Sequence, residues 1–364
     1  MTTIAAPRVD DDASRNDRQI AIWLFIMCAL LFAMILVGGL TRLTDSGLSI
    51  TEWKPVTGAI PPMSAEAWES EFAKYQQIPE YAQINQWMTL GDFKSIYWWE
   101  WGHRFLGRFI GIAFFIPFVY FFFTRKIRTG LTRHLTAMFV LGGAQGVLGW
   151  YMVMSGLSER VDVSQYRLAA HLALAFLIAG YILWVALSLV RQSIDNVRSK
   201  SAFHVRGSST LLGLMFLQII LGAFVAGIHA GKVNNTWPLM DSGLLPEGAF
   251  AMSPWVANFF ENHGLVQFDH RMLAYIIAIV LGYVWWRARN SITPPAIVLA
   301  LDIFVAAAGL QILLGIWTLL AVAPISLSAL HQAGGALAFM AAVNYAQLSW
   351  TLVSADAAQP AASA

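Results

Sequence analysis

Four histidines recur in matched places along this 364-residue chain. His103 lies in Trp98-Trp99-Glu100-Trp101-Gly102-His103-Arg104, and its His-Arg pair returns 167 residues later in Phe268-Asp269-His270-Arg271-Met272. His171, in Leu168-Ala169-Ala170-His171, is matched by His331, in Ala329-Leu330-His331. Each of the four stands at the start of a long apolar run or about a turn inside it. Ionisable groups in such positions are costly to keep and are functional candidates by default. An imidazole can ligate a metal or move a proton near neutral pH. Glu100, three residues before His103, adds a carboxylate suited to proton transfer. The residue three before His270 is Gln267, so only one of the two copies carries the acid.

The elements that must position these residues are membrane helices. Apolar residues make up 57% of the chain and charged residues 12%, and the mean hydropathy is +0.58. That balance excludes a soluble domain. The net charge of +2 carries no signature of nucleic-acid binding. The single cysteine, Cys28, rules out an intramolecular disulfide and a cysteine-based metal site. Apolar runs fall at about 20–40, 104–124, 135–154, 168–190, 209–229, 270–287, 296–321 and 327–352. Each is near or above the roughly 20 residues that cross a bilayer. The predicted fold is therefore an all-α integral membrane protein with eight spans. No signal-peptidase site follows the first run, so it is read as a retained helix.

Loop charge orients the spans. With residue 1 inside, the inner segments carry thirteen Lys and Arg residues and the longer outer loops seven. The positive-inside bias then puts both termini in the cytoplasm. The outer loops, about 41–102 and 230–269, are rich in Trp, Pro and Gly and read as ordered caps.

The chain also repeats internally. Gln145-Gly146-Val147-Leu148-Gly149-Trp150 in the third run matches Gln311-Ile312-Leu313-Leu314-Gly315-Ile316-Trp317 in the seventh. Spans 1–4 thus align with spans 5–8, in the same orientation, as two tandem four-helix bundles. The expected organisation is a disordered tail at 1–19, an N-terminal half at 20–190 and a linker at 191–208. A C-terminal half at 209–352 and a disordered tail at 353–364 complete it.

This topology brings all four histidines near the outer face, two per half. Paired imidazoles from facing helices suit axial ligation of a haem. Zinc would want three or four clustered ligands, and no HExxH-like pair is present. Glycines at 107, 111, 143, 146, 149, 334 and 335 lie on the same helices, where they serve either a flat macrocycle or plain helix packing. Arg104 and Arg271 could pair with haem propionates or snorkel to the interface. His134, His204, His229 and His263 fall outside the pattern and read as ordinary polar residues. A small-molecule transporter would place its polar groups near mid-membrane, and here they gather at one surface. Asp302, in the seventh run, has no sequence-level explanation.

The motifs resemble the haem A synthase (CtaA) family, in its mitochondrial and alphaproteobacterial branch. Glu-x-x-His-Arg (Glu100, His103, Arg104), Gly38-Gly39-Leu40-Thr41-Arg42-Leu43-Thr44 and Ser46-Gly47-Leu48-Ser49-Ile50 carry the resemblance. So do Thr51-Glu52-Trp53-Lys54-Pro55 and Asn235-Thr236-Trp237-Pro238-Leu239-Met240. The similarity covers about residues 20–352. Other bacterial members carry a cysteine pair in outer loops, which this chain lacks.

The resemblance implies oxidation of the C8 methyl group of haem O to the formyl group of haem A, for cytochrome oxidase. It implies a hydroxylated intermediate with oxygen drawn from water. It assigns His103 and His171 to the substrate haem, Glu100 to the essential carboxylate, and His270 and His331 to a resident haem b. A haem O synthase partner, a separate electron carrier, contact with membrane lipid and a homo-oligomer are family-level expectations. A quinone-linked electron-transfer protein holding two haems b would need the same histidines, and the contrast between Glu100 and Gln267 would then be incidental.

Overall fold

The computed structural model describes residues 9–158, 160–191 and 202–357, with side chains over 13–158, 160–191 and 202–351. Among these residues there are ten α-helices and no β-strand. They are α1 (Val9–Leu43), α2 (Ala65–Tyr75), α3 (Leu90–Phe123), α4 (Leu131–Met154) and α5 (Gln165–Val190). Then follow α6 (Ala202–Gly227), α7 (Asn258–Glu261), α8 (His263–Arg289), α9 (Pro295–Leu320) and α10 (Ile325–Ala357). Eight of them, all except α2 and α7, are long and apolar enough to cross a membrane.

The spans are longer than the apolar runs alone. Thr89 caps α3 through a reciprocal box in which its hydroxyl accepts from the Asp92 amide and Asp92 accepts from the Thr89 amide. Both orphan donors at the helix start are thereby satisfied. The helix can then run for 34 residues, about 51 Å at 1.5 Å per residue, against a hydrocarbon core of about 30 Å. Its first turns stand outside the apolar run and pack under α2, where Trp68, Tyr75, Phe93 and Tyr97 are buried together. His103 accordingly lies well inside α3, although it opens the apolar run.

Three of the expected boundaries are corrected. Residues 9–19 are the first turns of α1, where a disordered tail was expected. Residues 202–208 belong to α6, and 353–357 to the end of α10, so the linker and the C-terminal tail are shorter than predicted. In each place the polar flank extends a helix whose apolar part is already packed, and each added residue gains one backbone hydrogen bond. The remainder of those segments, 1–8, 192–201 and 358–364, lies outside the described residues.

Helices α1, α3, α4 and α5 pack in a closed ring, and so do α6, α8, α9 and α10. The rings meet through α5 against α6 and α10, and α1 against α10. Gly180 on α5 permits that approach, since a Cβ there would lie 3.1 Å from Phe339. Phe176 and Phe339 meet edge to face across the seam, with ring centroids 5.3 Å apart. Large apolar side chains fill the first ring away from its histidines, among them Ile20, Leu24, Met27, Leu135, Met138 and Ile182.

Candidate functional site

The four histidines sit against glycines. A Cβ at Gly149 would lie 2.9 Å from His171 Cε1, one at Gly222 3.2 Å from His270 Cε1, and one at Gly315 2.8 Å from His331 Cε1. A Cβ at Gly38 would lie 3.0 Å from His103 Nε2. Only a residue without a side chain lets each imidazole approach its neighbouring helix so closely. His103 and His171 lie within electrostatic range of each other, as do His270 and His331.

A glutamine one turn before the glycine completes three of these seats. Gln145 Nε2 donates to the His171 carbonyl at 3.0 Å and lies 3.3 Å from the ring nitrogen Nε2. Gln218 does the same for His270, at 3.0 Å from the carbonyl and 3.2 Å from Nδ1. Gln311 does so for His331, at 2.9 Å and 3.0 Å. The matched Gln and Gly of the third and seventh runs were visible in the sequence. That Gln218 and Gly222 in α6 form the same unit was missed, because the repeat partner of α6 is α1, which has Met34 in the place of the glutamine.

Of the glycines expected beside these helices, only Gly149 touches a histidine. Gly334 and Gly335 face Gln311, Gly107 faces Met34, and Gly111, Gly143 and Gly146 have open space within 4 Å.

Glu100 and Gln267 hold equivalent places with opposite polarity. Glu100 is buried, 2% exposed. Its Oε1 accepts from Arg104 at 2.6 Å, and its Oε2 accepts from the Ile50 amide at 2.7 Å and the Ser49 hydroxyl at 2.8 Å. Gln267 Oε1 likewise accepts from Arg271 at 2.6 Å. Its Nε2 instead donates to the carbonyls of Ala230 and Val233, at 2.8 and 2.6 Å. The outer loop offers donors to a carboxylate in one half and acceptors to an amide in the other. Buried polar groups require such matching.

The two arginines do not stand free as carboxylate anchors. Arg104 donates to the carbonyls of Ile50 at 2.7 Å and Glu52 at 3.0 Å as well as to Glu100. Arg271 donates to the carbonyls of Asn234 and Thr236. Each ties its outer loop to the helix that carries the histidine. Arg108 adds a further tie, to the carbonyls of Pro55 and Lys54. A cavity of about 440 Å³ opens beside them, lined by Glu52, Lys54, Lys74, Tyr97, Arg104 and Arg108.

The outer cap holds its own buried acid. Glu80 is 5% exposed, and burial pushes its carboxyl up to about 8, with the nearby charges of Asp45, Asp162 and Glu100 adding to the effect. Tyr75 donates to Glu80 at 3.2 Å, and Asn85 donates to Tyr75 at 2.8 Å.

Three of the remaining histidines have ordinary polar partners, and His263 is exposed at the start of α8. His134 pairs with the Tyr181 hydroxyl, and His204 lies between those of Tyr345 and Thr293. His229 comes near Asp45 and Asp162, and the Arg42 guanidinium stands 2.7 Å from its Nε2 and pairs with both carboxylates. Asp302 is explained by α8, since Trp285 donates to it at 2.8 Å and Arg289 at 2.6 Å.

The seats suit a flat, ring-shaped ligand held between histidines. Each pair presents imidazoles from two helices of one ring, glycines leave no side chain between ring and helix, and several buried atoms there have no protein partner. These atoms are His171 Nδ1 and the Oε1 atoms of Gln145, Gln218 and Gln311. Buried atoms without partners are rare away from functional sites.

Comparison with known proteins gives the family. The profile of the cytochrome oxidase assembly protein family, COX15-CtaA, matches residues 21–343. A protein of Parvibaculum lavamentivorans named Heme A synthase is 53% identical over 340 residues, covering 93% of this chain and 96% of that one. Proteins of the same name from Maricaulis maris and Nitrosomonas eutropha are 49% and 47% identical, over 93% and 92% of this chain and 97% and 95% of theirs. With the profile spanning nearly all the membrane helices and such relatives matching end to end, the chain belongs to the COX15-CtaA family of cytochrome oxidase assembly proteins.

Proposed function

We propose that this chain is a haem A synthase, an oxidoreductase that converts haem O to haem A. His103 and His171 hold the substrate haem in the N-terminal ring, and His270 and His331 hold a resident haem b in the C-terminal ring. The observation that carries this division is the contrast between Glu100 and Gln267. Of two latches at matched places, one holds a carboxylate that can accept a proton and the other an amide that cannot.

A bound haem supplies one-electron redox chemistry, and the chain supplies everything else. Paired imidazoles fix the macrocycle, and the glycines admit it close to the helices. Converting a methyl to a formyl group with oxygen from water, through a hydroxylated intermediate, releases protons and electrons. Glu100 Oε2 is the atom placed to take up protons, and the Ser49 hydroxyl bonded to it is the next carrier outward. Arg104 holds Oε1, so the carboxylate keeps its place while its charge changes. The outer cap over α3 keeps bulk water away from the carboxylate.

The test is haem extraction and chromatography on purified protein co-expressed with a haem O source. Wild type should yield haem A or the hydroxylated intermediate, and Glu100→Ala should accumulate haem O. Haem b alone in both proteins, with haem O available, would instead favour an electron carrier with two haems.

A further inference from the structure

The four histidine seats are built alike in three places and differently in the fourth. In α4, α6 and α9 a glutamine lies four residues before the glycine, as Gln145 and Gly149, Gln218 and Gly222, and Gln311 and Gly315. Its amide grips the backbone carbonyl of the histidine on the facing helix and abuts the imidazole. The ring is thereby held between the amide and the glycine. In α1 the glycine is Gly38, and the residue four before it is Met34. Methionine has nearly the shape of glutamine but no N–H to donate. The ring of His103 makes no hydrogen bond among the described residues. It also meets its glycine differently, with the Nε2 edge at 3.0 Å from a Gly38 Cβ rather than the Cε1 edge.

We propose that His103 is the displaceable imidazole of the four, and that Met34 is the positioning residue that makes it so. This rests on the reading that the histidine pairs hold haems. A glutamine amide holds the backbone carbonyl of His171, His270 and His331 and packs against each ring, which fixes where the imidazole points; no side chain among the described residues does the same for His103. With haems bound between the pairs, the bond from His103 would be the one that opens, and those from His171, His270 and His331 would hold. His103 and Glu100 share α3, three residues apart, so the opened position lies on the helix that also carries the acid.

The test uses the full-length haem-loaded protein in detergent, with ligand binding and spin state as readouts. In the reduced wild type, carbon monoxide should bind one haem and not the other. Met34→Gln, which restores the missing donor at nearly constant volume, should weaken that binding about tenfold and shift the N-terminal haem towards low spin. Met34→Leu, which keeps the shape and adds no donor, should behave as wild type. Conversely, Gln311→Met should let carbon monoxide onto the C-terminal haem. Equal carbon monoxide affinity in wild type and Met34→Gln, with both folded and fully loaded, would overturn the proposal. Failure of the underlying reading would look different, because neither His103→Ala nor His171→Ala would then change the haem content.

Discussion

Replacing Gly315 by alanine places a methyl carbon 2.8 Å from His331 Cε1, where ordinary contact begins at 3.4 Å. The ring would have to retreat by about 0.6 Å, or α9 and α10 would have to part. Retreat is opposed by Gln311, whose amide holds the His331 carbonyl at 2.9 Å and lies 3.0 Å from Nδ1. Overpacking of this kind costs about 1–3 kcal/mol. If the strain falls on the ligated state, haem b is held roughly fivefold to 150-fold more weakly. The assay is transfer of haem from the purified protein to an excess of apomyoglobin, followed by absorbance. Gly309→Ala is the matched control, on the same helix with open space around the added carbon. Both changes gain the same helix propensity, about 1 kcal/mol, so the difference between them isolates the contact with the imidazole. Gly315→Ala releasing haem no faster than Gly309→Ala would refute the reasoning.

The outer latches predict an exchange that fails. Gln267→Glu turns two donated hydrogen bonds into a carboxylate facing the carbonyls of Ala230 and Val233. The loss is about 3 kcal/mol, from two missing bonds and the repulsion that replaces them; it should lower the melting temperature in detergent, and an unchanged melt would count against the matched-polarity reading. Glu80 has a carboxyl raised to about 8 by burial, against about 4.5 when exposed. Its penalty is absent below pH 4.5, grows as the pH rises through this window and is complete above 8. Glu80→Gln should therefore stabilise the protein at pH 8.5 and change little at pH 4.5, as read by thermal melts at both values; an equal gain at both would point to packing instead. Asp302→Ala breaks a partly exposed pair with Arg289, about two and a half turns before Gln311 on α9 and in contact with no histidine seat, so haem content should equal that of wild type, and a loss would reveal a link the geometry does not contain.

Much of this architecture is legible in residue types and spacing. Eight apolar runs announce eight spans, because a backbone in lipid must satisfy its own hydrogen bonds within helices. The repeated His-Arg pair and the matched Gln and Gly of the third and seventh runs expose the tandem halves, because equal chemistry at equal depth leaves equal letters. The missing acid at position 267 is likewise plain from sequence. The ends of the helices are less legible, because capping by Thr89 and Asp92 and packing under α2 carry α3 well beyond its apolar run.

Other features are decided by tertiary structure alone. No spacing rule connects Ser49 and Ile50 with Glu100, some fifty residues apart, because the loop that brings them together returns over α3 through non-local contacts. Sequence offers the two arginines as partners for haem propionates or as interfacial groups, and the structure adds ties to loop carbonyls that no motif records. The role of Met34 likewise emerges only when α1 is laid beside α4, α6 and α9. The sequence by itself determined the spans, the tandem repeat and the identity of the paired histidines, because these depend on hydrophobicity and local periodicity. Which side chain clamps which imidazole, and which imidazole is left unclamped, was decided only when the helices packed, because a hydrogen bond between neighbouring helices depends on their separation and rotation rather than on distance along the chain.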